Sequence, residues 1–461
     1  MAPAGYDRNL ENTLNKLRSS FREGTTRPLS WRMKQLEALK TFLVERNEEL
    51  NAALWQDLRK SSHEAAVTEQ GLVIAEIDDA LEHLAEWMKT EKVAIPLINQ
   101  PGYCEIRREP FGLTLIIGAW NYPVNLIPAP LVGAIAGGNV AVIKPSEIAA
   151  ATSSVLARYL PEYLDPNCIA VMEGGVEETQ AILAQPFDFI FYTGSSRVGK
   201  IVMTKAAVHL TPVFLELGGK SPTIVLDDKE LGVTARRITW GKFINAGQTC
   251  IAPDYVLALP HLVQPLIAAI KGAIKEFYGE DAEQSPDYCR VVNDKNFERL
   301  SRFLGDGKLE IGGKTNPKER YIAPTVLSHV SPESPIMQEE IFGPLLPILP
   351  IANVEEAIQF VNLRPKPLAL YIFSGDKPAV EKVLAETSSG GVCINDVVMH
   401  MPVPELPFGG VGASGMGSYH GRRSFESFTH AKGILIKGRW PDFAIRYPPY
   451  VDSQAKLAKI L

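Results

Sequence analysis

A cysteine, a glutamate and an asparagine stand out for what they could do together. Cys250 lies in FINAGQTCIAPDY (243–255), where small residues and a glycine leave room for a substrate to reach a thiol. An attacking thiol has to be accessible and partly ionised near neutral pH. A lone free cysteine is, however, most often an inert core residue. Glu216 closes an apolar run in LELGGKSP (215–222), just before paired glycines. A carboxylate in that setting is costly unless it works, for example as a general base. Capping a helix or joining a salt bridge would also account for it. Asn121, in AWNYP (119–123), ends another apolar run ahead of Pro123. Its amide could donate to an oxyanion, although asparagine in such a turn is commonplace. EEIFGP (339–344) sets Glu340 and Phe342 beside a Gly-Pro turn and by itself reads as no more than a turn.

Two glycine-rich stretches suggest other chemistry but lack its context. Gly410 to Gly415 (GVGASG) fits the dinucleotide glycine fingerprint, yet no strand–helix–strand unit follows it, so a tight turn is the better reading. GSSRVGK (194–200) nearly fits a P-loop, but Ile201 stands where a magnesium-binding Ser or Thr would be, which disfavours a kinase or ATPase. That segment still follows a strand and opens a helix, so its free N–H groups could hold a dinucleotide phosphate.

These residues need a frame. Helical periodicity fills residues 30–91, where Leu36, Leu39, Phe42 and Leu43 recur at helical spacing. Short apolar runs at 113–120, 139–145, 169–174, 187–194 and 212–219 then alternate with amphipathic stretches such as 148–160 and 197–208. That alternation predicts a doubly wound parallel sheet. A second set of runs, at 223–227, 255–260, 346–351, 368–374 and 391–396, predicts a second α/β domain starting near Gly218. Lys144 and Glu147, in IKPSE (143–147), should stand at the carboxyl edge of the first sheet, where dinucleotides bind. Ser146 could cap a helix there, with Glu147 complementing its dipole.

Composition narrows the function. The chain has 461 residues, is 46% hydrophobic and 22% charged, and carries a net charge of −6. That suits a soluble enzyme of two or three folding units and lacks the basic footprint of a nucleic-acid binder. Five cysteines without a Cys-x-x-Cys pair argue against a disulfide scaffold or a zinc site and for a reducing, cytoplasmic setting. No apolar run is long enough to span a bilayer.

Taken together, WNYP, IKPSE, YTGSSRVGK (192–200), LELGGKSP, the GQTC cysteine, EEIFGP and LPFGG (406–410) resemble the aldehyde dehydrogenase superfamily, from about residue 10 to 435. The ending LPFGGVGASGMGSYHGRRSFESFTH looks most like the class 3 branch, which includes fatty-aldehyde enzymes. Tyr192 departs from that branch, which usually has Phe there. The resemblance implies an aldehyde dehydrogenase-like α/β fold with a Rossmann-like cofactor domain (1–97 and 112–217) and a catalytic domain (218–420). It also implies a β oligomerisation arm (98–111 and 421–445) and a C-terminal tail (446–461). It implies NAD(P)-dependent oxidation of an aldehyde to the acid through a Cys250 thiohemiacetal and thioester. Asn121 and the Cys250 N–H would hold the oxyanion, and Glu216 would activate water to hydrolyse the thioester. Cofactor contacts are expected from Trp120, Lys144, Glu147, Gly194, Ser195, Val198, Leu217, Gly218, Glu340 and Phe342. Tyr122, Trp240 and Thr249 are expected to line a tunnel for medium or long aliphatic or aromatic aldehydes. No metal is required, NAD is expected with NADP also accepted, and class 3 relatives suggest a homodimer. A cysteine hydrolase would need a histidine signature that the chain lacks. A CoA-acylating dehydrogenase usually lacks the glutamate that Glu216 matches.

Overall fold

The computed structural model describes residues 6–227, 229–442 and 446–450. Most of the expected tail therefore lies outside the described residues. The amino-terminal region folds into helices Tyr6–Arg22, Leu29–Glu45, Asn47–Leu58 and Gly71–Trp87. The apolar spacing foreseen for 30–91 puts Leu36, Leu39, Phe42 and Leu43 in the core. A short π-helical turn, Ala66–Gln70, leads directly into the last of these helices, a feature that often marks functional sites.

The first sheet has six strands in the order Gly415–Met416, Val213–Glu216, Phe189–Thr193, Leu113–Ile117, Val140–Lys144, Ile169–Val171. Its five long-expected strands run parallel. Leu113–Ile117 and Val140–Lys144 are buried at every position, as strands covered by helices on both faces must be. The all-apolar helix Pro128–Gly137, also buried throughout, is one of the covers. The strand order reverses between Leu113–Ile117 and Phe189–Thr193. At such a switch point the loops leaving the carboxyl ends diverge and open a crevice.

The second sheet has seven strands, ordered Lys308–Ile311, Thr325–Ser328, Leu345–Pro350, Tyr255–Ala258, Pro222–Val225, Ala369–Phe373, Gly391–Ile394. All pairings are parallel except that of the edge strand Lys308–Ile311. The two strands at the Lys308 end escaped the sequence reading because KLEI is exposed and charged and TVLS is short. Outside both sheets, Gly102–Pro110 pairs with Thr429–Lys437 over nine residues, as expected for an arm. Two segments cross the expected domain limits. Glu91–Val93 joins the arm rather than the cofactor domain. Gly415–Met416 returns from the catalytic half to pair with Val213–Glu216 in the first sheet. Among the described residues no helix is long and apolar enough to cross a membrane.

Candidate active site

The carboxyl end of the first sheet meets the amino end of the second at the crevice. Loops leaving the carboxyl ends of the first sheet carry Trp120 and Asn121, Gly194, and Glu216 itself. Loops entering the amino ends of the second carry Gly218, Cys250 and the Glu340–Phe342 turn. Between them lies a cavity of about 240 Å³ lined by Asn121, Glu216, Cys250 and Glu340, with Trp120 and Phe342 packed edge to face at 5.3 Å. Residues more than 200 positions apart in sequence thus share one crevice.

Glu216 ends its strand in register with Thr193 on one side and Gly415 on the other. It is 1% exposed, and neither carboxylate oxygen has a hydrogen-bond partner among the described residues. Burial holds its carboxyl well above the usual carboxylate range. Capping and salt bridging, the two ordinary explanations of a glutamate here, are both absent. The glycine-rich stretch 410–415 is the tight turn expected of it, and it props this strand. Ser414 accepts from the Leu217 N–H at 3.1 Å. A side chain at Gly415 would strike the Leu215 carbonyl at 2.1 Å.

Cys250 opens onto the cavity but is otherwise enclosed by protein. Burial, reinforced by Glu216 and then Glu340, pushes its thiol well above the ordinary range, with the backbone N–H groups of Cys250 and Ile251 acting the other way. Desolvation favours the neutral form of the thiol, and the two N–H groups favour the thiolate. The approach to Cys250 is tightly bent. Asn245, Ala246 and Gly247 all take positive φ, at 51°, 52° and 74°. A Cβ at Gly247 would strike the Gly343 carbonyl at 2.2 Å, so the cysteine loop and the EEIFGP turn interlock through a glycine.

Asn121 is 2% exposed and donates one amide hydrogen to the Gln248 carbonyl at 3.1 Å. An amide carries two, which leaves the second for the cavity. Glu340 lies over Gly218, where any Cβ would meet its carboxylate at 2.2 Å. Burial, then Asp254, pushes its carboxyl up to about 8, against the Gly219 N–H. Phe342 sits at φ 47°, a costly conformation for a bulky residue. Lys220 and Arg299 fix it: they donate to the carbonyls of Ile336 and Glu339, and of Glu340 and Ile341.

At the outer end, Lys144 donates to the Pro145 carbonyl at 2.7 Å and reaches Glu147 at 3.4 Å, with Glu147 half-exposed. Ser146 does not cap the following helix. That helix begins at Ala150, and Asp57 caps it by accepting from the N–H groups of Ala151 and Thr152. Ser195 caps helix Ser196–Ala207 by accepting from the Val198 N–H. Gly194 is needed beside Tyr192, whose hydroxyl a Cβ would strike at 2.3 Å. Leu217 is buried and lines the cavity with Gly194 and Ser195. The residues present suit a dinucleotide: a glycine cradle with no room for a Cβ, a helix N-terminus beside the cavity, and a carboxylate–ammonium pair for ribose hydroxyls.

The expected substrate residues fall elsewhere. Tyr122 is buried and bonds its hydroxyl to Thr249 at 2.6 Å. Trp240 is 37% exposed on helix Leu231–Phe243. None of the three lines the cavity. The sequence reading also missed Thr193, Leu126, Asn296 and Arg299, which do line it. It missed as well the buried ion pair of Lys60 and Glu69. Position in the chain gives no sign of either.

Comparison with known proteins agrees with this geometry. The model of the aldehyde dehydrogenase family matches residues 2–434. Aldehyde dehydrogenase family 3 member B1 of Homo sapiens is 51% identical over 97% of this chain and 96% of its own. The dimeric NADP-preferring aldehyde dehydrogenase of Rattus norvegicus is 48% identical over 98% and 99%. A substrate-bound structure of Staphylococcus aureus AldH, 44% identical, covers 98% of this chain and 99% of its own with a TM-score of 0.94. With both sheets, the crevice and the motif residues in place, the chain belongs to the aldehyde dehydrogenase family, its relatives lie in the class 3 branch, and it oxidises aldehydes with NAD(P).

Proposed function

We propose that the oxidation runs through a thioester on Cys250 that water hydrolyses with Glu216 as base. The observation that carries this reading is the Glu216 carboxylate, buried, unpartnered and facing the same cavity as Cys250 and the Asn121 amide. Cys250, as thiolate once its proton has left to solvent, adds to the aldehyde carbon; the oxygen that gains charge is met by the free Asn121 amide hydrogen and the Cys250 N–H, and its collapse to the thioester breaks the C–H bond and releases hydride. Loss of one such donor typically costs about 2.7–4 kcal/mol. The bound nicotinamide supplies the hydride acceptor. Glu216, desolvated and therefore a stronger base than a surface carboxylate, takes a proton from the water that attacks the thioester. Deacylation by water rather than by CoA follows from that glutamate. Lys144 and Glu147 would hold the adenosine ribose, Ser195 and Val198 the phosphate, and Glu340 and Phe342 the nicotinamide end. No metal enters this scheme.

We further propose a preference for medium or long aliphatic or aromatic aldehydes, NAD favoured with NADP accepted, and a homodimer. Apolar walls gain roughly 0.8 kcal/mol per buried methylene. Among the described residues the outer edge of Thr429–Lys437 has no neighbour in its sheet, a surface that proteins normally cover; a second copy would do so. The five free thiols support the cytoplasmic setting. The decisive test is alkylation. Alkylation of Cys250 by iodoacetamide should remove NAD-linked activity in step with its own labelling, alkylation of the other four cysteines should not, and Cys250→Ala should be inactive. Full activity of Cys250→Ala would refute the mechanism. Equal kcat/KM for acetaldehyde and decanal would reject the long-chain preference, and a monomer by light scattering would reject the dimer.

A further inference from the structure

Behind the loop that carries Asn121 lies a buried charged pair that the mechanism above does not use. Lys60 and Glu69 form an ion pair at 2.5 Å with both side chains 0% exposed. Such a pair is expensive to bury and is a weak source of stability, so its partners matter more than its existence. The second Glu69 oxygen accepts from the N–H groups of Val124 and Asn125, at 3.0 and 2.9 Å. The Lys60 ammonium donates to the backbone carbonyl of Asn121 at 3.2 Å and lies 4.0 Å from the centre of the Tyr122 ring. Every one of these contacts falls on residues 121–125, the loop that aims the Asn121 amide.

The same carbonyl is shared with the cysteine loop. Asn245 donates to the Asn121 carbonyl at 2.8 Å and to the Gln248 carbonyl at 3.1 Å. Asn121 donates back to Gln248, and Tyr122 reaches Thr249 beside Cys250. Glu64, on the same turn as Lys60, accepts from the Asn245 N–H at 2.9 Å. The segment 60–70 therefore grips both the oxyanion loop and the thiol loop, and contains the π-helical turn Ala66–Gln70.

We propose that Lys60 is a positioning residue: paired with Glu69, it sets the register of the Asn121 amide against Cys250. The inference rests on the oxyanion role given to Asn121 above. A misplacement on the order of 1 Å costs about 100-fold in rate, so a small shift of the loop is enough to matter.

Lys60→Met alone leaves Glu69 buried without a counter-charge. The test therefore uses Lys60→Met with Glu69→Gln, which removes both charges and keeps an acceptor for Val124 and Asn125. The quantity measured is the rate of the first cofactor reduction at saturating NAD, in wild-type and Asn121→Ala backgrounds. With Asn121 present, the pair of substitutions should slow that step by about 10- to 100-fold. In Asn121→Ala it should cost less than about threefold, because the two effects share one path. Iodoacetamide alkylation of Cys250, which needs no oxyanion, should stay near its wild-type rate. An equal factor in both backgrounds, an unchanged rate, or a parallel loss of alkylation overturns the proposal. Lys60→Arg, which keeps the charge but spreads it over a fork, is run through the same cycle and judged by the same criteria if the double variant does not fold. If Asn121→Ala by itself leaves the step unchanged, the oxyanion role of Asn121 fails, and that outcome is distinct from failure of the Lys60 cycle.

Discussion

The support behind the Asn121 loop and the wall of the crevice handle buried charge in opposite ways. Behind the loop, Glu69 is ion-paired to Lys60 and accepts two backbone N–H bonds. On the wall, Glu216 is as deeply buried but has no partner among the described residues. Both carboxyls are pushed upward by burial, but only Glu69 has attractive partners opposing the shift. A satisfied buried carboxylate holds structure, and an unsatisfied one is tolerated where a water or substrate completes it. The difference assigns scaffold to one and chemistry to the other, without reference to sequence motifs.

The sharpest way to break that contrast is to neutralise Glu216. Glu216→Gln should fold normally and reduce cofactor about once per site. It should then turn over about 10²- to 10⁴-fold more slowly, the usual worth of a general base. A burst in stopped-flow absorbance at 340 nm followed by a slow phase is the expected trace; unchanged steady-state turnover would move suspicion to Glu340. The matching change behind the Asn121 loop should do the reverse. Glu69→Ala strands Lys60 and two N–H groups, and should lower unfolding free energy by about 3–5 kcal/mol, measured by denaturant titration. Stability equal to wild type would show that Glu69 is not structural.

The same contrast sets a pH dependence. The Glu216 and Cys250 groups titrate above their ordinary values, and their ionised forms act. Turnover should therefore rise with pH from neutral into the alkaline range. For stability the sign is opposite. A group whose pKa is raised by folding contributes stability below its unfolded value and loses it as pH rises through its folded value. Wild type should thus lose stability relative to Glu216→Gln on alkalinisation. A pH-independent difference between the two would place the Glu216 shift elsewhere. The smallest expected effect lies at the outer end of the crevice, where Glu147 is half-exposed. Glu147→Gln should shift the NADP/NAD ratio of kcat/KM toward NADP by about two- to fivefold, the scale of one exposed charge interaction. An unchanged ratio would remove Glu147 from cofactor selection.

Much of the frame was legible from local pattern. Ten apolar runs foresaw ten of the thirteen strands of the two sheets, because most parallel strands are covered on both faces and are therefore apolar along their length. Motif order pointed to Cys250, Glu216 and Asn121, and the structure brings all three to one cavity. The substrate residues were less legible. Tyr122 and Thr249 are neighbours of the right residues in sequence, yet they turn toward each other in the interior. Adjacency to a site residue says nothing about which way a side chain points.

By itself, then, the sequence determined the identity of the reacting groups and the two α/β halves that present them, since residue chemistry and apolar periodicity are local properties. Only the tertiary structure decided what surrounds those groups. That Glu216 lacks a partner, that the Cys250 thiol is desolvated, and that Lys60 holds the Asn121 carbonyl all depend on contacts across 61 to more than 100 positions of chain. Burial and hydrogen-bond satisfaction are sums over neighbours in space, and no window along the chain contains them.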